Sequence, residues 1–307
     1  MAKVIFFGYS AMGYEGLEYL IRQKEEIAAV ISHRDKEEEN IWFPSVPKLA
    51  KEAGIPLYYG EEMSSKELKE LVASLEPDII LSIYYRNLIP GSVLKMARIG
   101  AYNLHGSLLP RFRGRCPTNW QILKGETVSG VTLHVMERKA DTGPIVGQKR
   151  IPIEPRETAF TLAGKQIRAA RELLAEVFPR IKRQEHSLLP QDHSLASYFG
   201  GRTPEDGRID WNESAVQIDR LVRAVTHPYP GAFTTWKERK LLIWEAYPMG
   251  GEASPPGKIL GLGPQGILVA TGSSLLEILK CQLEGEEELS AHEFWHRYSL
   301  QKGERLE

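Results

Sequence analysis

The chain has 307 residues, of which 42% are hydrophobic and 26% charged, with a formal net charge of -1. This composition excludes a disordered or fibrous chain and leaves enough length for two hydrophobic cores. The charge is uneven: residues 1–203 carry 28 Lys+Arg against 24 Asp+Glu and residues 204–307 carry 11 against 16, so the acidic second part is a poor footing for nucleic acid.

Cys116 and Cys281 are far apart and outside any Cys-x-x-Cys spacing, so neither a metal site nor a disulfide framework is indicated. The apolar start Val4–Phe7 is too short for a signal peptide and no window approaches a membrane span. A cytoplasmic protein without membrane insertion is expected.

Val4–Phe7, the turn Gly8–Gly13 and the periodic Tyr14–Ile21 read as strand, turn and helix, a Rossmann-like opening. The turn does not match Gly-x-Gly-x-x-Gly, so no NAD is expected, although a turn at a strand C-terminus can line a ligand crevice. Ile27–Ile31 is a second strand, and the mixed-sign run 34–40 reads as a solvated loop without chemistry. Ser45–Ala53 is a short helix stopped by Gly54, and Ile55–Tyr59 is a third strand. Ser64 and Glu67 form a capping box for a helix to Leu75. Asp78–Tyr84 is a buried strand, followed by Tyr84–Pro90 at its ligand-binding end, where Tyr and Arg are candidate contacts. The β-α-β alternation implies a doubly wound, mostly parallel sheet.

Asn103 and His105 then stand two apart in a strand, which puts both side chains on one face. An amide that can donate to an oxyanion beside an imidazole that can move a proton suits carbonyl chemistry. The stiff cationic loop Pro110–Pro117 follows directly, and a helix near Thr118–Leu123 comes next. Gly130–Met136 and Ile145–Ile153 pair as a hairpin, with Asp141 on its loop as the candidate carboxylate. Phe160, Ala163, Ile167, Ala170, Leu174, Val177 and Ile181 form the stripe of a long helix packed on the sheet. The Gly/Pro/charge-rich segment 200–207 marks a boundary, giving domains 1–203 and 204–307. Beyond it lie a helix (Ser214–Val225) and five short β runs from Ala232 to Lys280 that suggest a small barrel. The acidic stretch Glu284–Glu288 and a capped helix from Ser290 end the chain.

Asn103-Leu104-His105-Gly106-Ser107-Leu108-Leu109-Pro110 closely resembles the 10-formyltetrahydrofolate-dependent formyltransferases. Tyr84–Ile89, Arg113–Pro117, Gly130–His134, Lys139–Asp141, Arg202–Pro204 and Pro228–Phe233 extend the resemblance over nearly the whole chain. The likeness is greatest to the branch that formylates UDP-4-amino-4-deoxy-L-arabinose in lipid A modification and polymyxin resistance. The resemblance implies an α/β fold: a Rossmann-like, mostly parallel sheet with helices on both faces, then a small OB-like β-barrel domain. It implies Asn103, His105 and Asp141 as catalytic residues, with Asp141 favouring the His105 imidazolium and accepting a proton from the attacking amine. It implies 10-formyltetrahydrofolate as formyl donor, with contacts at Asn87, Leu88, Ile89, Arg115, Glu137, Arg138, Lys139, Ala140 and Asp141, and neither metal nor NAD. Related two-part proteins continue into an NAD-dependent decarboxylase beyond the point where this sequence stops.

A nucleotide-linked amino-sugar is the implied partner, a homo-oligomer is left open, and Arg113, Arg115 and Arg202 are candidates for its diphosphate or for the folate tail. The alternatives are a methionyl-tRNA formyltransferase and a folate-binding hydrolase or sensor. The first usually has a Gly-Ala-Ala-Pro-like sequence where this chain has Gly114-Arg115-Cys116-Pro117, and it relies on basic surface. Cys116 in place of the usual Ala, and Gly201 where an Arg often precedes Arg202, leave the amino-sugar itself open.

Overall fold

The computed structural model describes residues 2–36, 40–251 and 254–307. Residues 37–39 of the expected solvated loop lie outside that set. The chain divides into two compact units, one comprising Met1–Pro117, Val128–Pro152 and Ala163–Gly200, the other Thr118–Thr127, Ile153–Leu162 and Gly201–Glu307. No helix among the described residues is long and apolar enough to cross a membrane.

The first unit holds β1 (Lys3–Gly8), α1 (Ser10–Arg22), β2 (Glu26–Ser32), α2 (Val46–Glu52), β3 (Leu57–Tyr59), α3 (Ser65–Leu75), β4 (Ile79–Ile83), α4 (Gly91–Leu94), β5 (Gly100–His105) and β6 (Arg113–Gly114). After α5 (Pro117–Lys124) come β7 (Val128–Val135), β8 (Ile145–Pro152), α6 (Ala159–Lys182) and β9 (Tyr198–Phe199). The main sheet has the order β3-β2-β1-β4-β5-β7-β8. β3 to β5 run parallel, while β7 and β8 are antiparallel additions.

Residues 4–7 of β1 are all fully buried, which requires cover on both faces. On one side Ile5, Phe7, Ile31 and Ile80 pack with Leu68 and Val72 of α3 and Val93 of α4. On the other, Gly16 of α1 lies against the Phe6 and Ile83 side chains. Crossovers of alternating β and α therefore give helices on both faces of a mostly parallel sheet.

Two expectations shift. Helix α1 starts at Ser10, so most of the expected turn Gly8–Gly13 is already helical; Ala11 and Met12 bury apolar surface there, which outweighs the lack of a side-chain cap. The stripe of α6 holds at Ala170, Leu174, Val177 and Ile181 and departs at its start, where Phe160 is 45% exposed, Ala163 and Ile167 are half-buried and Leu162 and Gln166 are buried; Leu173 and Phe178 widen it. Leu173 and Val177 sit over Gly147 of β8, where the absence of a Cβ leaves them room.

The second unit contains α7 (Ala215–Val225), β10 (Ala232–Trp236), β11 (Arg239–Met249), β12 (Ile259–Leu262), β13 (Ile267–Ala270), β14 (Leu275–Leu283), β15 (Leu289–Ser290) and α8 (Ala291–Arg297). A single cut at 203/204 leaves out two of its segments. Asn119 donates to the Ala224 carbonyl (2.8 Å), and Arg156 donates to Asp219 (2.7 Å) and to the Ala246 carbonyl (2.8 Å). These bonds tie 118–127 and 153–162 to the residues after 201.

The antiparallel order is β10-β11-β14-β13-β12, with β15 added to β14. The C-terminal tail links the two ends of this path. Glu307 exchanges backbone hydrogen bonds with Thr235 beside β10, while Gly303, Glu304 and Leu306 bond Ile259 and Gly257 beside β12. The barrel is thus completed by a tail too short and polar to read as a strand. Leu306, 2% exposed, anchors it, and Leu306→Ala should cost about 2–4 kcal/mol of stability by emptying that position. Denaturant unfolding checks this; an unchanged midpoint would show the tail to be dispensable.

Candidate functional site

Strand β5 ends on Asn103 and His105, and antiparallel register sets Asn103 directly opposite His134 and His105 opposite Thr132 of β7. Opposed residues share a sheet face, so β7 adds a second histidine to the pair. The Asn103 Nδ2 lies 3.1 Å from His134 Nε2, and His134 Nδ1 lies 2.8 Å from the Val135 carbonyl. A carbonyl can only accept, so the Nδ1 N–H is directed there and Nε2 is left to accept from Asn103. That fixes the Asn103 amide with its nitrogen inward and leaves its second N–H for another acceptor.

His105 is buried, and its Nε2 donates to the Phe112 carbonyl at 2.7 Å. Its Nδ1 faces Asp141 Oδ1 at 3.7 Å, and His134 Nε2 approaches the same oxygen at 3.5 Å. The other carboxylate oxygen, Oδ2, accepts the Gly114 N–H at 2.8 Å. Burial by itself would raise the Asp141 pKa, but the positive potential of His105, the His134 ring beside the carboxylate and the Gly114 N–H together hold this carboxyl well below the usual range. It is therefore ionised throughout the neutral pH range.

Loop geometry explains how the carboxylate reaches this position. Asp141 has φ +57°, a left-handed conformation unusual outside glycine. Gly114, at φ +98°, lets its chain pass so close to Phe199 that a Cβ would stand 2.2 Å from the carbonyl oxygen there. The loop after β4 is pinned too: His33 Nε2 accepts the Arg86 N–H (3.1 Å), which leaves Nδ1 to donate to Glu61 (3.0 Å), and the ring stacks on Tyr85.

The residues expected at a folate site fall on three loops. Asn87 and Leu88 are exposed, Leu88 by 77%, and Ile89 is half-buried against the core. Arg115 is exposed and donates to the Arg86 carbonyl at 3.3 Å, which brings the loop after β5 to the loop after β4. Glu137, Arg138, Lys139 and Ala140 form the exposed arm leading into buried Asp141. An exposed leucine next in sequence to an amide, with a guanidinium bonded to the same loop, are groups of the kinds that an apolar ring, polar ring edges and an acidic tail would require.

Other candidates are placed differently. Arg113 is 1% exposed and enclosed by Gln191, His193 and Tyr198, so it is no surface partner for a diphosphate. Tyr9, in the first turn, is buried beneath Arg86 and against His33 and Phe43, out of reach of a ligand. Arg202, in the second unit, lies over the Trp120 ring and donates to the Asp206 carbonyl. His134 and Gln191 were missed as members of the site; the β5–β7 register exposes the first, whereas no local pattern signals the second. Among the described residues no cluster of His, Cys, Asp and Glu has the makings of a metal site.

An acid, an amide and two imidazoles thus come together on a mostly parallel α/β sheet, groups of the kinds that acyl transfer uses. Residues 2–178 match the formyl transferase family and residues 202–299 its C-terminal domain, so the chain belongs to the formyl transferase family. It is an enzyme of that family.

Solved structures share the fold at low identity. HypX from Aquifex aeolicus in complex with tetrahydrofolic acid is 17% identical at a TM-score of 0.65, covering 99% of this chain and 48% of its own; the chain spans about half of HypX. The N-formyltransferase from Helicobacter canadensis, bound to folinic acid and dTDP-3-aminofucose, is 20% identical at 0.68, covering 91% and 99%. Methionyl-tRNA formyltransferase from Clostridium thermocellum is 15% identical at 0.56, covering 82% and 96%.

Proposed function

We propose that this enzyme transfers the formyl group of 10-formyltetrahydrofolate to the amine of a nucleotide-linked amino-sugar, with UDP-4-amino-4-deoxy-L-arabinose the first acceptor to test. The observation that carries the reading is the convergence of Asn103, His105 and Asp141 on one centre, with His134 holding the Asn103 amide in a single orientation. The sugar acceptor is supported by Gly114-Arg115-Cys116-Pro117 and by the acidic second part of the sequence, an unfavourable surface for tRNA. The resemblance to the lipid A and polymyxin-resistance branch selects the particular sugar.

In this mechanism the neutral amine attacks the formyl carbon and the carbonyl oxygen becomes an oxyanion; collapse of that adduct breaks the bond from the formyl carbon to folate N10, which takes up the proton the amine gives up, and tetrahydrofolate leaves. Asn103 donates its second N–H to that oxyanion. His105, whose Nε2 is committed to Phe112, has only Nδ1 with which to hold a proton, and a proton there faces Asp141 at 3.7 Å. A carboxyl held so low is a weak base. Asp141 therefore serves as the counter-charge of an imidazolium rather than as the final proton acceptor, which revises the role expected from sequence. Arg115, Asn87, Leu88 and Ile89 hold the folate, and the Glu137–Ala140 arm lies along it.

The test is acceptor dependence. Purified enzyme with 10-formyltetrahydrofolate should release tetrahydrofolate when the UDP-amino-sugar is added, and not with methionyl-tRNA or with no acceptor. Formylated tRNA, or release without any amine, would replace this reading by the tRNA or hydrolase alternative.

A further inference from the structure

Arg113 is among the largest fully buried side chains of the molecule, yet its hydrogen-bond partners are an amide, an imidazole and a phenol rather than a carboxylate: Gln191 Oε1 (2.6 Å), His193 Nδ1 (2.9 Å) and the Tyr198 hydroxyl (2.5 Å). Its Nε is buried without any acceptor. Burying a guanidinium in this way is costly, and such an arrangement persists where it fixes something else.

What it fixes is the side chain of Gln191. A guanidinium only donates, so the Gln191 amide must turn its oxygen towards Arg113 and its nitrogen the opposite way. That nitrogen donates to two carbonyls, Asp141 O at 3.0 Å and Gly143 O at 2.7 Å. These flank the left-handed turn at Asp141, and at Gly143 an added Cβ would stand 2.1 Å from the Val135 carbonyl oxygen. The residue after Arg113 supplies the N–H that Asp141 Oδ2 accepts. Two consecutive residues of β6 thus hold the same aspartate, one by its backbone through Gln191 and one by its carboxylate.

We propose that Arg113 and Gln191 are positioning residues that brace the Asp141 turn, so that the carboxylate stays between His105 and His134. The brace sets turnover rather than folate affinity. This rests on the reading of Asp141 as part of a formyl-transfer centre, but the brace has consequences that need no activity.

Gln191→Glu keeps an acceptor for Arg113 and removes both donors from the turn. It should retain a folded protein with near-normal KM for the formyl donor, while kcat falls by about 10²-fold, as expected for a misplaced catalytic group. Hydrogen exchange across residues 141–144 should quicken in the same variant. Arg113→Lys, which still offers a cationic donor to Oε1, should recover most of the turnover that Arg113→Met loses. In the wild-type protein, the 15N-labelled side-chain amide of Gln191 should be protected from solvent exchange, a readout independent of any variant's folding. Wild-type kcat and wild-type exchange in Gln191→Glu, or a freely exchanging Gln191 amide in the wild type, would overturn the brace. A wild-type protein that formylates nothing would instead overturn the functional reading, and a protected Gln191 amide would still support the brace.

Discussion

Asn103→Ala is expected to lower kcat by about 10²–10³-fold, the usual effect of deleting one preorganised oxyanion donor. KM for 10-formyltetrahydrofolate should change little, because the residues expected to hold the folate lie on the loops after β4, β5 and β7, whereas Asn103 lies within β5. The amide is preorganised by a neighbour: His134 accepts one of its protons and is itself fixed by the Val135 carbonyl. His134→Ala, which leaves Asn103 in place but frees its rotation, should therefore lower kcat in the same direction by a smaller factor. Steady-state kinetics with saturating acceptor decides this; a variant at position 103 with near-normal turnover would remove Asn103 from the chemistry.

Asp141→Asn carries the second large effect, a loss of at least about 10²-fold in turnover, because the counter-charge of the proton-carrying histidine disappears. The same substitution has a signature in stability. The native carboxyl titrates below its unfolded value, so its contribution is complete above the unfolded value of about 3.9 and is lost as pH falls through the lower native one. Wild type should therefore melt well above Asp141→Asn at neutral pH, and the gap should narrow as pH drops below about 4. A gap independent of pH would mean that the aspartate's charge contributes nothing to the fold.

The parts of the molecule legible from sequence are those where a pattern repeats. The apolar runs of β1, β2 and β4 and the Ser64/Glu67 capping box signal a parallel sheet with intervening helices, and the two-residue spacing of Asn103 and His105 places both on one face. Features set by long-range pairing were not legible. His134 joins the site only because β7 lies antiparallel to β5 in one particular register. Arg113, in a loop rich in arginine and glycine, reads as a surface charge, and its burial depends on Gln191, His193 and Tyr198 about 80 residues away. The closure of the second unit by residues 303–307 was hidden for a related reason: a charged tail carries no alternation, and only its backbone hydrogen bonds to residues near 235 and 258 make it part of the sheet.

The most direct test follows the carbon itself. Donor carrying a 13C-labelled formyl group is mixed with the enzyme and UDP-4-amino-4-deoxy-L-arabinose, and the label is located by NMR. A formamide carbon on the sugar nitrogen, formed by wild type and scarcely by Asn103→Ala, is the predicted result; label recovered as free formate, or never leaving the folate in the presence of the amino-sugar, would contradict it.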